Sequence, residues 1–241
     1  MRATRTPADR APADRGAAIT ASITASIAAR RAWLCDLDGT LVNSGPVHEA
    51  AFRDAITELM PGLLTSFRYS AHAGASTRDV VAALVADPDV AERLVRRKQR
   101  LYRRYVDAGR VAVFPGAYRL LDHLAGGGRP AYLVTSGSRE SVERVLAACS
   151  LGGRLRAVLT SDDVAASKPD PAVYREACRR WGIDPGEAVA VEDSAQGAAS
   201  AIGAGLVTLQ VHATEPAPGA FPIRHLGEIV SLLGGTPGDE W

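Results

Sequence analysis

Five short apolar runs recur along the chain: AWLCD (32–36), AYLVTS (131–136), AVLTS (157–161), AVAVED (188–193) and LVTLQV (206–211). They are apolar on successive residues rather than alternately, as strands are when both faces of a sheet are covered. Such strands belong to parallel sheets whose crossovers are helices. Helical patterns lie between the runs. In PAVYREACRRWG, Val173, Tyr174, Ala177, Cys178 and Trp181 share one helical face, with Asp170 placed to cap it and Pro171 suited to its first turn. Ser138 is placed to cap a second helix carrying Val142, Val145, Leu146 and Cys149. The expected fold class is α/β, a doubly wound parallel sheet.

One stretch breaks the alternation. HEAAFRDAITELM, STRDVVAALVA and VAERLVRRKQRLYRRYVDAG have helical periodicity and no strand between them. Residues 46–112 therefore read as an all-helical insertion, with residues 31–45 and 113–235 forming the sheet domain. Residues 1–30 are rich in Ala, Thr and Arg and read as a disordered extension. Ser and Thr interrupt its weakly apolar AAITASITASIAA, which argues against a signal peptide. The end, GGTPGDEW, reads as frayed.

Composition narrows the classes. At 241 residues and 46% hydrophobic, the chain can bury a full core. A net charge of +1 gives no case for nucleic acid or an acidic membrane as partner, and no aromatic platform accompanies the arginine-rich helix. No stretch reaches the roughly 18 apolar residues of a membrane span. Cys35, Cys149 and Cys178 are odd in number and lack CxxC spacing, so neither a disulfide framework nor a zinc site is indicated. A reducing cytoplasm is the expected setting, and a monomer or weak homodimer the expected state.

In open parallel sheets, ligands bind beyond the carboxyl ends of the strands, and there the apolar runs end in polar chemistry. The first ends in Asp36 and Asp38, the second in Thr135 and Ser136, the fourth in Glu192 and Asp193; the SKPDP loop adds Lys168. Singly, each has an ordinary explanation: a turn, a helix cap, a solvated loop lysine, a strand-end hydroxyl. Together they describe a site. So many acids need a counter-charge, and a hard cation with oxygen ligands, Mg²⁺, suits them. A lysine and a hydroxyl in the same cleft suit a phosphoryl group. One aspartate of the pair can attack phosphorus, and the other can move the proton of the leaving oxygen and of water.

DLDGTLVNS, VTSG, SKPDP and VEDSAQG, in that order, resemble the four motifs of the haloacid dehalogenase superfamily of phosphohydrolases, over about residues 32–211. The resemblance implies a Rossmann-like core with a helical cap that selects substrates. It implies Asp36 as nucleophile, Asp38 as acid/base, Thr135 as phosphate ligand and Lys168 as charge stabiliser. Mg²⁺ would be held by the side chains of Asp36 and Asp193 and the backbone carbonyl of Asp38, with Glu192 assisting through water. Ser136 and Gly137 of the second motif are expected against the substrate.

The insertion bears on what the substrate is. Lys98 falls on the apolar stripe of Leu94, Leu101 and Tyr105, whereas Arg96, Arg97, Arg100, Arg103 and Arg104 lie mostly off it and read as a solvated face. Lys98 is accordingly expected to point at the cleft and meet an anionic substrate, with a snorkelling lysine as the alternative. His48 resembles the histidine that β-phosphoglucomutase and related sugar-phosphate phosphatases carry after the first motif; Gly74, Ser76 and Arg78 resemble their specificity loop. Thr77 stands where the mutases carry an arginine, and Asn43 and Gly45 alter a segment that usually holds an acid. The expected activity is a Mg²⁺-dependent phosphatase acting on a small phosphomonoester such as a sugar or polyol phosphate. A phosphosugar mutase and a non-catalytic phospho-ligand binder are the alternatives.

Overall fold

The run Ala32–Cys35 forms a strand whose four side chains are all buried, with Trp33, Leu34 and Cys35 at 0% exposure. The computed structural model describes residues 12–72, 74–213 and 215–236. In chain order, α1 (Pro12–Ala28) precedes this strand, β1 (Ala32–Cys35), and β2 (Val42–Asn43) follows it. The insertion contributes α2 (Gly45–Leu59), α3 (Thr77–Leu84) and α4 (Pro88–Asp107). The chain returns through β3 (Ala112–Val113) to α5 (Ala117–Gly126), β4 (Ala131–Val134), α6 (Arg139–Ala148) and β5 (Val158–Leu159). It ends with α7 (Ala172–Trp181), β6 (Ala188–Glu192), α8 (Ala195–Gly203), β7 (Val207–Val211), β8 (Phe221–Ile223) and α9 (Leu226–Leu232).

The sheet order is β5-β4-β1-β6-β7-β8, and every pairing in it is parallel. Alternate side chains of β1 serve opposite faces. Ala32 and Leu34 pack with Val173, Tyr174 and Ala177 of α7, while Trp33 and Cys35 join the larger core that includes Leu120, Val145 and Ile229. Each large side chain buried this way contributes about 1.5–3 kcal/mol, so the strand ends form a rigid platform. The strand order reverses direction at β1, and the residues that follow β1 lie at that crevice.

The insertion is helical, and α2 packs against α4. Its two connections to the sheet domain pair as an antiparallel ribbon, Val42 with Val113 and Asn43 with Ala112. Asp87 caps α4 by accepting from the amides of Asp89 and Val90, and Ser76 caps α3 by accepting from Asp79 N. Among the described residues no helix is long and apolar enough to cross a membrane.

Several local expectations change. The extension expected to be disordered over 1–30 instead contains α1, which packs against α9 and buries Ile23 and Ile27. These two residues lie four apart, one helical turn, so a narrow apolar stripe suffices where overall composition is polar. Residues 1–11 lie outside the described residues, as do residues 237–241 of the end expected to fray. Ser138 sits at the N-cap of α6 but its hydroxyl donates to Ser141 Oγ; the amide of Arg139 is met by Asp162 Oδ2 at 2.8 Å instead. Asp170 does accept from Ala172 N at the start of α7, at 2.8 Å.

Candidate active site

The chain leaves β1 with the Asp36 amide still donating to Val191 O, which pins that residue beside β6. Its side chain is 8% exposed, and its Oδ1 accepts from Lys168 Nζ at 2.7 Å. The same ammonium donates to Glu192 Oε1 at 2.6 Å and to Val134 O at 2.9 Å. One buried cation thus joins the ends of β1, β4 and β6. Burial works against the charge of Lys168, but Asp36 and Glu192 hold its pKa above the usual lysine range. Burial pushes the Asp36 carboxyl well up; Lys168 offsets part of this, and Glu192 and Asp193 add to it.

Asp193 follows Glu192 at the end of β6. Its Oδ1 accepts from Thr40 Oγ1 at 3.3 Å, and burial together with Glu192 raises its pKa to about 7, against the opposing pull of Lys168. Asp36, Glu192 and Asp193 each bring a carboxylate oxygen to within 4.8 Å of the others. The turn after β1 must be tight to admit this. Gly39 has φ +88°, and a Cβ there would lie 2.1 Å from Asp193 Oδ2, so glycine is required on both counts.

Asp38 is met from the cap. Its Oδ1 lies 3.1 Å from His48 Nε2 and accepts from the Tyr102 hydroxyl at 3.3 Å. The far side of the imidazole, Nδ1, lies 2.7 Å from Lys98 Nζ, which also donates to Thr77 Oγ1 at 3.0 Å. The His48 and Tyr102 rings stack with centroids 3.9 Å apart. Burial pushes the Asp38 carboxyl up, but His48 outweighs it, with help from Lys98, and holds the group at about 2. Burial brings Lys98 down to about 7 although Asp38 favours its charge, and burial followed by Lys98 lowers His48. Asp38, His48 and Lys98 therefore form a hydrogen-bonded line from the sheet edge into the cap.

These groups surround a cavity of about 130 Å³ lined by Asp36, Asp38, His48, Lys98, Thr135, Lys168 and Asp193, among others. Thr135 Oγ1 accepts from Gly137 N at 3.1 Å, which leaves its own proton to give. Ser136 and Gly137 line the same cavity, and Ser136 Oγ donates to the carbonyl of Gly74, joining the second motif to the cap loop at 3.2 Å. Lys98 is 2% exposed and reaches this cavity from the apolar seam, with histidine and threonine as its hydrogen-bonding partners. Ser76 and Arg78 lie apart from the inner cavity. Ser76 caps α3, and Arg78, with a side chain 70% exposed, donates to Glu92 at 2.9 Å. Both border a second cavity that adjoins the first.

The motifs left several participants unnoticed. Tyr102 stands four residues after Lys98 and so shares its helical face, a signal that pattern alone contained. Tyr174, read as a core residue of its helix, donates to Glu192 Oε1 at 2.6 Å. Thr40 sits inside the first motif and holds Asp193. Arg103, expected on the solvated face, has a side chain only 15% exposed and borders the second cavity.

Residues 33–211 match the family described as haloacid dehalogenase-like hydrolase. Hexitol phosphatase A of Escherichia coli (strain K12) is 30% identical over 190 residues, covering 78% of this chain and 86% of that protein. A plasmid-borne phosphoglycolate phosphatase of Cupriavidus necator is 32% identical over 211 residues, covering 86% of this chain and 91% of its own. Among solved structures, CbbY from Rhodobacter sphaeroides in complex with phosphate aligns with a TM-score of 0.73 at 25% identity, covering 85% of this chain and 99% of that one. The match runs from β1 to β7 and takes in the helical insertion and the strand ends that carry the carboxylates, and the chain belongs to the haloacid dehalogenase-like hydrolase family.

Proposed function

We propose that this protein is a Mg²⁺-dependent phosphatase that hydrolyses a small phosphomonoester, a sugar or polyol phosphate, by carrying the phosphoryl group transiently on Asp36. One observation supports this above the others: Lys168 Nζ bridges Asp36 and Glu192 in a cavity that Asp38, Thr135 and Asp193 also line. On this reading residues 46–112 are the substrate-selecting cap, and 31–45 with 113–235 are the catalytic core. Its three buried, unpaired cysteines suit the reducing cytoplasm.

The donor set fits a hard divalent cation. Three carboxylates converge, and Glu192 Oε2 is buried with no hydrogen-bond partner among the described residues. Asp36, Asp193 and the Asp38 carbonyl would hold Mg²⁺, with Glu192 beside them; when bound, it neutralises the phosphoryl oxygens and orients them. The chain's own residues do the rest. An Asp36 oxygen attacks phosphorus while the bond to the leaving oxygen breaks, and Asp38 gives that oxygen its proton. Asp38, now a carboxylate, takes a proton from water as the water oxygen attacks phosphorus; the bond to Asp36 breaks and inorganic phosphate leaves. Thr135 donates to an oxygen on which charge develops, and the Lys168 ammonium, its three protons held by Asp36, Glu192 and Val134 O, offsets that charge from beside Asp36.

Without substrate, Asp38 is held ionised, as its second role requires. Its first role needs a proton on the same group. A shift from Lys98 Nζ to His48 Nδ1, and from His48 Nε2 to Asp38, supplies it, and a phosphate dianion beside Asp38 favours the shift. The sign follows from Lys98. Its cationic form predominates below pH about 7, so turnover of alkyl phosphates falls as pH rises through that value. Lys98→Met should lower kcat for a hexose phosphate by about 10²-fold and abolish that limb. It should spare p-nitrophenyl phosphate, whose leaving group departs without a proton. Equal losses on both esters would contradict the relay.

The function is tested by phosphate release from p-nitrophenyl phosphate and from a panel of phosphorylated metabolites, with Mg²⁺ and with EDTA. Release that depends on Mg²⁺ is expected. A folded protein that releases phosphate from none of them would contradict the reading.

A further inference from the structure

The second cavity, of about 380 Å³, is larger than the first and shares Thr77, Thr135, Ser136 and Lys168 with it. The chamber therefore adjoins the inner cavity and lies between α4 and the loops after β4 and β5. Neutral hydrogen-bonding groups crowd its wall, among them Ser138, Thr160, Ser161 and Gln99. Its charges are arranged against an anion. Leaving aside Lys168, already bound by two carboxylates, the wall holds, among the described residues, two guanidiniums, Arg78 and Arg103, and three acids, Asp79, Glu140 and Asp162.

Both guanidiniums are occupied. Arg78 is turned to Glu92. Arg103 Nε lies 3.1 Å from Glu140 Oε1, a pair that crosses from α4 to the first turn of α6, with the arginine side chain 15% exposed and the glutamate 61%. Arg103 is thus the shielded member, and Glu140, whose Oε1 also lies 3.9 Å from Arg144 Nη2, is nearer to Arg103 and opposes its charge. A second phosphate entering the chamber would have to displace Glu140 while facing Asp162, whose carboxylate is fixed by the Arg139 amide at 2.8 Å. Hydroxyl groups meet no such opposition and find both donors and acceptors on the wall.

We propose that this chamber takes the uncharged, hydroxylated tail of a phosphomonoester and that Glu140, by neutralising Arg103, turns away substrates with a second phosphate. The device is selection by repulsion. The inference rests on the phosphatase reading above and deepens it. Fructose 1-phosphate and fructose 6-phosphate, set against fructose 1,6-bisphosphate, test it through the ratio of kcat/KM for bisphosphate to that for the better monophosphate.

The wild-type ratio should be below about 0.1, and Glu140→Gln should raise it about tenfold, chiefly through KM of the bisphosphate. Adding Arg103→Gln to Glu140→Gln should return the ratio towards the wild-type value, because the unmasked cation is gone. A wild-type preference for the bisphosphate, or a ratio unmoved by Glu140→Gln, overturns the assignment. Hydrolysis of p-nitrophenyl phosphate by the same preparations separates the two readings. Its persistence with an unmoved ratio sinks only the chamber, whereas its absence, with no fructose phosphate turned over, sinks the phosphatase and the chamber together.

Discussion

Asp36→Asn is expected to remove Mg²⁺-dependent phosphate release by roughly 10⁴-fold or more, with the fold intact. The carboxamide keeps the shape of the side chain and an oxygen that can accept from Lys168, but it is a poor nucleophile. The same change removes a buried negative charge whose carboxyl is raised by burial, so the melting temperature should not fall. The variant should still bind phosphate esters through Thr135 and Lys168. The loss then lies in kcat and not in KM, the signature of a group acting on the reacting atom. A variant with a tenth or more of the wild-type rate would remove Asp36 from the chemistry.

Lys168→Met should damage both activity and stability. Among the described residues, Lys168 Nζ is the one group that hydrogen-bonds both Asp36 and Glu192, at 2.7 and 2.6 Å. Removing one partner of a buried ion pair costs about 3–5 kcal/mol, because uncompensated charge is left behind. In a chain of this length, that lowers Tm by roughly 10 °C. The sign with pH is definite. The pKa of Lys168 is raised in the folded protein, so its contribution is full at neutral pH and is lost only as pH rises beyond the ordinary lysine range. The deficit of the variant should shrink in acid, where the orphaned Asp36 carboxylate, its pKa raised by burial, protonates, and when Glu192→Gln is added. Millimolar Mg²⁺ should restore part of the Tm by binding the folded state. A Tm within about 2 °C of wild type at pH 7 would mean that the buried triad is not under the strain described.

The sequence carried more of the site than of the boundaries. Apolar runs ending in Asp36, Thr135 and Glu192 identify a parallel sheet and its functional edge together, because a strand buried on both faces has few other reasons to end in acids. Lys98 could be placed on the apolar seam of α4 by counting residues. Its partner could not: His48 is 50 positions away, and the contact exists only once α2 and α4 are packed. The same limit hid Tyr174, whose ring belongs to the core while its hydroxyl reaches Glu192. Arg103 lies off the seam and on an isolated helix would face solvent; here α6 of the sheet domain covers that side as well. Ser76 and Arg78 show the converse, since likeness in position did not foretell a cap on α3 or an ion pair with Glu92. The β8 strand, three residues with Pro222 at its centre, and the two-residue ribbon of β2 and β3 are too short for periodicity to register. The burial of Ile23 and Ile27 was masked by the polar residues around them.

The central claim is a covalent bond between Asp36 and phosphorus, and chemical trapping addresses it most directly. Enzyme quenched in acid during turnover with Mg²⁺ is treated with borodeuteride, which reduces an acyl phosphate to an alcohol, and its peptides are analysed by mass spectrometry. The account predicts deuterated homoserine at position 36 alone, appearing only when substrate and Mg²⁺ are both present. Label at any other carboxylate, or none while phosphate is being released, would contradict it.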